Sequence, residues 1–102
     1  MNKNLDKVVN ETAVVITVFK GSDVADVELL KSYIDLEDLE RDNVIFDFSK
    51  TENISSSFIS YVVHIHQELS KLNKRMLISG INDRVKEVFN CLGLMKVFKI
   101  VN

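Results

Sequence analysis

Three consecutive serines, Ser55-Ser56-Ser57, are the residues of this chain best placed for chemistry. They follow a short apolar run, Val44 to Phe48, and a polar stretch, Ser49-Lys50-Thr51-Glu52-Asn53. They open a segment with helical periodicity. A hydroxyl at the start of a helix meets backbone N–H groups without intrahelical partners and the positive end of the helix dipole. That environment suits a phosphate. It also suits a plain capping hydroxyl, worth roughly 1 kcal/mol of stability. Ser56 is the expected cap and the candidate phospho-acceptor, with Ser57 and Ser55 as alternatives one residue away.

Other side chains offer less. Asp23 lies in a turn before a helix, where a cap is the plain reading. Asp47 ends a strand and can bond loop backbone. A phospho-acceptor role for Asp47 would need an acidic pair after the first strand, and Val18-Phe19-Lys20-Gly21 supplies none. His64 and His66 are two apart on one helix and point in different directions, which is poor geometry for a shared metal. His66 is expected half-buried and His64 solvent-facing. A Ser56–His64 dyad is excluded because the two lie about 12 Å apart along one helix axis. Cys91 falls in an apolar helical pattern and is expected to pack as a small hydrophobe. Tyr61 and Ile65, four apart, form a small apolar stripe beside the serines if they are exposed.

The elements that position these groups follow from periodicity. Thr12 to Phe19 is rich in β-branched residues and reads as a strand. Val8-Val9 is expected to be a short strand joined to it by the Asn10-Glu11 turn. Lys20-Gly21-Ser22-Asp23 breaks the strand. Val27, Leu30 and Ile34 then repeat at helical spacing, with Val24, Tyr33 and Leu36 nearby. The acidic stretch Asp35 to Asp42 ends that helix in a solvated loop. Val44 to Phe48 is nearly unbroken in its apolar character and suits a strand covered on both faces. Between Ser56 and Leu72 the residues Phe58, Ile59, Val62, Val63, His66, Leu69 and Leu72 mark an amphipathic helix, closed by Asn73-Lys74. Met76 to Ile78 reads as a buried strand closed by Ser79-Gly80. Asn82 caps a last helix with apolar face Val85, Val88, Phe89 and Leu92. Gly93 takes the left-handed C-terminal position, and Val97 to Val101 is a final strand. The order β(β)αβαβαβ predicts an α/β domain with a mixed or parallel sheet.

Composition bounds the function. The 102 residues suit one domain, 46% of them are hydrophobic, and the net charge is −2. Without a basic excess, nucleic acid is not an expected partner. No apolar run is long enough to cross a bilayer, and Met1 to Asp6 lacks the apolar core of a signal peptide. The single cysteine fits a reducing cytoplasm. No cofactor is implied.

The element order, together with residues 44 to 101, resembles the STAS domain of bacterial anti-sigma factor antagonists. Asp47-Phe48 matches the family's strand end, and Ser55-Ser56-Ser57-Phe58-Ile59-Ser60 falls on its Asp-Ser-Ser/Thr-Gly-Leu-Gly-like motif. Arg75 to Ile81 looks like its fourth strand, Asn82 to Phe89 like its third helix, and Leu92 to Phe98 like the turn before its last strand. The chain departs from the motif at Ser55, which replaces Asp, and at Phe58 and Ser60, which replace the two glycines. Of the Gly-Glu-Leu-Asp stretch before the first helix, only the final Asp is kept, as Asp23.

The resemblance implies one STAS domain over residues 1–102, with a four- to five-stranded mixed sheet and three to four helices. It implies a non-enzymatic signalling module that binds a serine-kinase anti-sigma factor and is released by phosphorylation of Ser56. A separate phosphatase would reset it. Asp23, Ser55, Ser56, Ser57, Phe58 and Tyr61 are the expected partner-binding residues. A monomer or weak dimer is expected. The competing readings are a phosphorylation-independent scaffold, and a small enzyme or phosphotransfer protein using Asp47, Ser56 or His64.

Overall fold

The computed structural model describes residues 4–39 and 41–101. Met1, Asn2, Lys3, Glu40 and Asn102 lie outside the described residues, and with them the N-terminal part of the Met1–Asp6 reading, one residue of the acidic loop and the extreme ends of the 1–102 domain. The elements are β1 (Leu5–Val9), β2 (Ala13–Val18), β3 (Lys20–Gly21), α1 (Val24–Tyr33), β4 (Asn43–Phe48), β5 (Asn53–Ile54), α2 (Ser56–Lys71), β6 (Arg75–Ile81), α3 (Asp83–Cys91) and β7 (Lys99–Ile100). Five strands form a mixed sheet in the order β1-β2-β4-β6-β7. Among the described residues only the β1–β2 hairpin is antiparallel; the other pairs of this sheet are parallel. The short β3 and β5 form a separate two-stranded parallel sheet.

Each helix carries the chain from one strand to the next parallel neighbour. β2 leads through α1 to β4, β4 through α2 to β6, and β6 through α3 to β7. The steps all run the same way across the sheet. Right-handed crossovers that never reverse direction deliver every helix to the same face. The burial pattern agrees. Val14, Ile16 and Val18 of β2, Val44, Phe46 and Phe48 of β4, and Met76 and Ile78 of β6 are buried in one cluster. Leu30 and Ile34 of the α1 region, Phe58, Ile59, Val62, Ile65 and Leu69 of α2, and Val85 and Phe89 of α3 join it.

The alternate residues Val15, Thr17, Ile45, Asp47 and Leu77 are only half-buried. The expectation that Val44 to Phe48 is covered on both faces is therefore corrected. Its second face belongs to the open side of the sheet, so the strand alternates between buried and half-buried positions. β1 is longer than the Val8-Val9 pair expected from the sequence, because its antiparallel register with β2 extends to Leu5, which faces the core opposite Val18.

Helix ends follow local chemistry. Asn82 Oδ1 accepts from the Val85 N–H at 2.9 Å, the expected cap. Asn73 and Gly93 take positive φ (58° and 71°) after α2 and α3, where a left-handed residue closes a helix. Asp26 is buried, and its carboxylate accepts from the Ser22 and Asp23 N–H groups and from Asn4 Nδ2, tying the start of α1 to the start of β1.

Two expectations for side chains change, those for Cys91 and Leu92. Cys91 and Leu92 are exposed, since α3 ends there; Val85 and Phe89 are buried in the core and Val88 packs against it. Val24, in the first turn of α1, faces solvent. His66 is half-buried as expected, edge-on to Phe98 at 5.6 Å, and His64 is exposed.

Phe89 contacts both Phe48 and Phe98, with ring centroids 5.6 and 5.5 Å apart, and joins α3 to the sheet. Phe89→Ala is expected to cost about 3–5 kcal/mol, read as a lower urea midpoint by circular dichroism.

Candidate functional site

The loops that leave β2, β4 and β6 lie at the same carboxyl edge of the parallel strands. They carry Asp23, the three serines and Asn82 respectively. Several interactions bind them to one another. In the small sheet Lys20 pairs with Asn53 and Gly21 with Ile54. The Glu52 N–H donates to Phe19 O at 2.9 Å and the Ser55 N–H to Gly21 O at 2.7 Å. Thr51 is buried and donates to Val18 O at 2.6 Å. From the third loop, Asn82 Nδ2 donates to Thr51 O at 2.8 Å and Arg84 Nη1 to Glu52 O at 2.9 Å. The exposed Lys20–Glu52 pair at 3.6 Å adds little stability. Gly21 was legible in the sequence only as a strand breaker. In the structure it is a strand partner.

Phe58 is fully buried against Gly21. A Cβ at position 21 would lie 2.7 Å from Phe58 Cγ, well inside van der Waals contact. The bare backbone of Gly21 is therefore what admits the Phe58 ring beneath the serine loop. This corrects the expectation that Phe58 touches a partner: it has no surface to offer and shapes the loop from below.

The serines take distinct places. Ser55, not Ser56, is the N-cap of α2; its φ/ψ is extended (−95°, 161°) and its hydroxyl accepts from the Phe58 N–H at 3.2 Å. The capping role expected of Ser56 is thereby corrected by one residue. Ser56 and Ser57 are exposed in the first turn, and neither side chain bonds a described residue. That first turn contains no acidic residue, unlike those of α1 with Asp26 and α3 with Asp83.

Beside Ser56 runs an open groove of about 270 Å3, lined also by Ile59, Ser60, Val63, Leu92 and Leu94. The α2 residues follow the i, i+3, i+4, i+7 spacing of one helix face. Leu92 stands 49% exposed at its wall. The sequence pattern assigned Leu92 to the core. Its position beside Gly93, where the chain reverses, was the available signal that it could instead be presented outward.

The Tyr61–Ile65 stripe does not form. Ile65 is fully buried, and half-buried Tyr61 sits beneath Lys31 of α1, whose Nζ is 5.4 Å from the ring centroid. Tyr61 thus faces the α1–α2 contact, on a different flank from the groove. Asp23 is the exposed N-cap residue of α1, two residues beyond the Gly21 that pairs with the serine loop. Asp47 bonds the Ser49 N–H at 2.9 Å, the loop role expected of it.

The model of the STAS domain family matches residues 4–102. The chain belongs to the STAS domain family. No curated protein matches it in sequence. Solved structures with the same fold include the anti-sigma factor antagonist SpoIIAA in its unphosphorylated form, 22% identical with TM-score 0.80, covering 96% of this chain and 88% of that one. The Bacillus cell fate determinant SpoIIAA in its phosphorylated form is 21% identical with TM-score 0.76, over 96% and 91%. A Thermotoga maritima protein named as a candidate anti-sigma factor antagonist is 18% identical with TM-score 0.82, over 96% and 86%. In this STAS domain the expected mixed sheet has five strands, with three helices on it. No helix among the described residues is long and apolar enough to cross a membrane.

Stability measurements on substituted chains test how the site is built. Gly21→Ala is expected to cost about 1–3 kcal/mol by overpacking against Phe58, and Gly21→Ala combined with Phe58→Leu should recover part of that loss in a double-mutant cycle. Ser55→Ala is expected to cost about 1 kcal/mol. Ser56→Ala should change stability by under about 0.5 kcal/mol.

Proposed function

We propose that this STAS domain is an anti-sigma factor antagonist-like signalling module, switched by phosphorylation of Ser56. In this reading it binds a serine-kinase anti-sigma factor and thereby frees a sigma factor. The observation that carries the proposal is the placement of Ser56. Its hydroxyl is exposed at the start of a 16-residue helix, relieved of capping by Ser55, and at the rim of an apolar groove. Ser57 is also exposed but does not line the groove. Ser55 is committed to its cap. Of the three serines, Ser56 best joins access to a kinase with influence on a bound partner.

The physical chemistry of the switch is local. Phosphoryl transfer from the kinase's nucleoside triphosphate forms a bond to Ser56 Oγ, and the hydroxyl proton leaves. The product carries nearly two negative charges. The first turn of α2 tolerates them, because unpaired N–H groups and the helix dipole favour an anion there. A partner's apolar side chain in the adjoining groove would then meet a hydrated dianion at its mouth. The fold survives and the interface weakens. Hydrolysis by a separate phosphatase restores the serine. SpoIIAA, which shares the fold, has been solved both unphosphorylated and phosphorylated, which supports the reading. Asp23, on the loop paired with the serine loop, fits the rim of the same interface. Its kinase and sigma factor would be cytoplasmic partners in a bacterial cell.

The test combines mapping and binding. Mass spectrometry of the chain incubated with ATP and the serine-kinase anti-sigma factor proposed as its partner should place phosphate on Ser56, and Ser56→Ala should remove it. Ser56→Asp is expected to weaken kinase binding about tenfold or more, the range of ordinary coupling energies. Equal binding by wild type and Ser56→Asp would overturn the switch and leave a constitutive scaffold.

A further inference from the structure

We propose that a notch at the opposite end of the sheet binds a small organic anion bearing a phosphate group. The last strand, β7, pairs with β6 only at Leu77 and Ile78. The first residues of β6, Arg75 and Met76, therefore have no strand beyond them, and the last turns of α2 form the other wall. The resulting cavity of about 360 Å3 is lined by His66, Ser70, Lys74, Arg75, Met76, Leu77 and Lys99. That volume suits a small ligand.

Its lining is unusual for this chain. Acidic residues outnumber lysine and arginine overall, 15 to 13. Among the described residues its lining holds three of those cations and a histidine, and no carboxylate. Lys74 is held in place, with Nζ donating to Leu39 O at 2.9 Å and Arg41 O at 3.2 Å. Its acidic neighbour, Asp42, is 3.8 Å away and 91% exposed, so it neutralises the ammonium weakly. The side chains of Arg75 and Lys99 are exposed and form no ion pair with any described residue. Arg75 and Lys99 line the same notch, and a guanidinium and an ammonium without ion partners among the described residues match a phosphate, the guanidinium through its two-pronged geometry. Met76, on the face that α2 covers, supplies an apolar side to the notch, which inorganic phosphate alone would not use.

The notch lies toward the carboxyl end of α2, and Ser56 at its amino end. Ser56 and Ser70 are about 21 Å apart along the helix at its rise per residue. The inference does not rest on the serine switch.

Two-dimensional NMR of the isotopically labelled full chain, titrated with phenyl phosphate, tests it. Inorganic phosphate and sodium chloride at matched ionic strength are the comparisons. Saturable shifts centred on His66, Ser70, Arg75, Leu77 and Lys99 are expected, with phenyl phosphate binding tighter than inorganic phosphate. Arg75→Gln with Lys99→Gln, both at exposed positions, should weaken binding at least about tenfold, the worth of one charge-assisted hydrogen bond. Shifts that sodium chloride reproduces, shifts centred on the starts of α2 or α3, or unchanged affinity in the double variant would overturn the proposal. Equal affinity for the two phosphates would overturn the organic part of the assignment.

Discussion

The seat of the Phe58 ring on the bare backbone of Gly21 is the constraint on which the site depends. Around it the β3–β5 pairing, the Ser55-to-Gly21 hydrogen bond and the Ser55 cap all close within a few residues. A larger residue at 21 would displace the ring, and with it the first turn of α2. The motif departures make sense in this light. A bulky residue replaces a motif glycine at 58, and its volume is accommodated by a glycine on another loop. The polar surface above is left to Ser56 and Ser57.

The same economy governs the sheet. Because the crossovers step one way, all three helices share one core, and that core runs from Leu5 on β1 to Phe98 before β7. The helices start at the carboxyl edge of the parallel strands. Three helix N-termini and their capping residues, Asp23, Ser55 and Asn82, are delivered to one end without any residue being selected for proximity in sequence. The amino edge collects the complementary set: the end of α2, the start of β6, and the cations of the notch.

Much of the fold was legible in the residues. β-branched runs marked β2 and β4, i, i+3, i+4 spacing marked α2, and Asn82 and Gly93 marked the ends of α3, because each signal acts within a few residues of its cause. The candidate serines were legible to within one position, since capping chemistry names a cluster and only the backbone decides which member sits at the boundary. Other features depended on partners distant in sequence. Lys20-Gly21 looks like a breaker until Asn53-Ile54 lies alongside it. Ile65 and Tyr61 look like an open stripe until the core closes over one and Lys31 over the other. Leu92 looks like core until α3 stops a residue earlier. Phe58 could be read as partner-facing because nothing nearby announces Gly21 as its seat.

The β3–β5 pairing makes the serine surface depend on distant parts of the chain. It joins residues 20 and 53, and the third loop enters only when Asn82 and Arg84 arrive. Its span is close to those of the β2–β4 and β4–β6 pairings, so the serine loop is closed by contacts as long-range as those of the main sheet. A nascent or truncated chain can hold α2 and its serines and still lack the surface around them. The surface around the serines therefore exists only when all three loops are in place, and removing residues 82–84 would alter it without touching a serine.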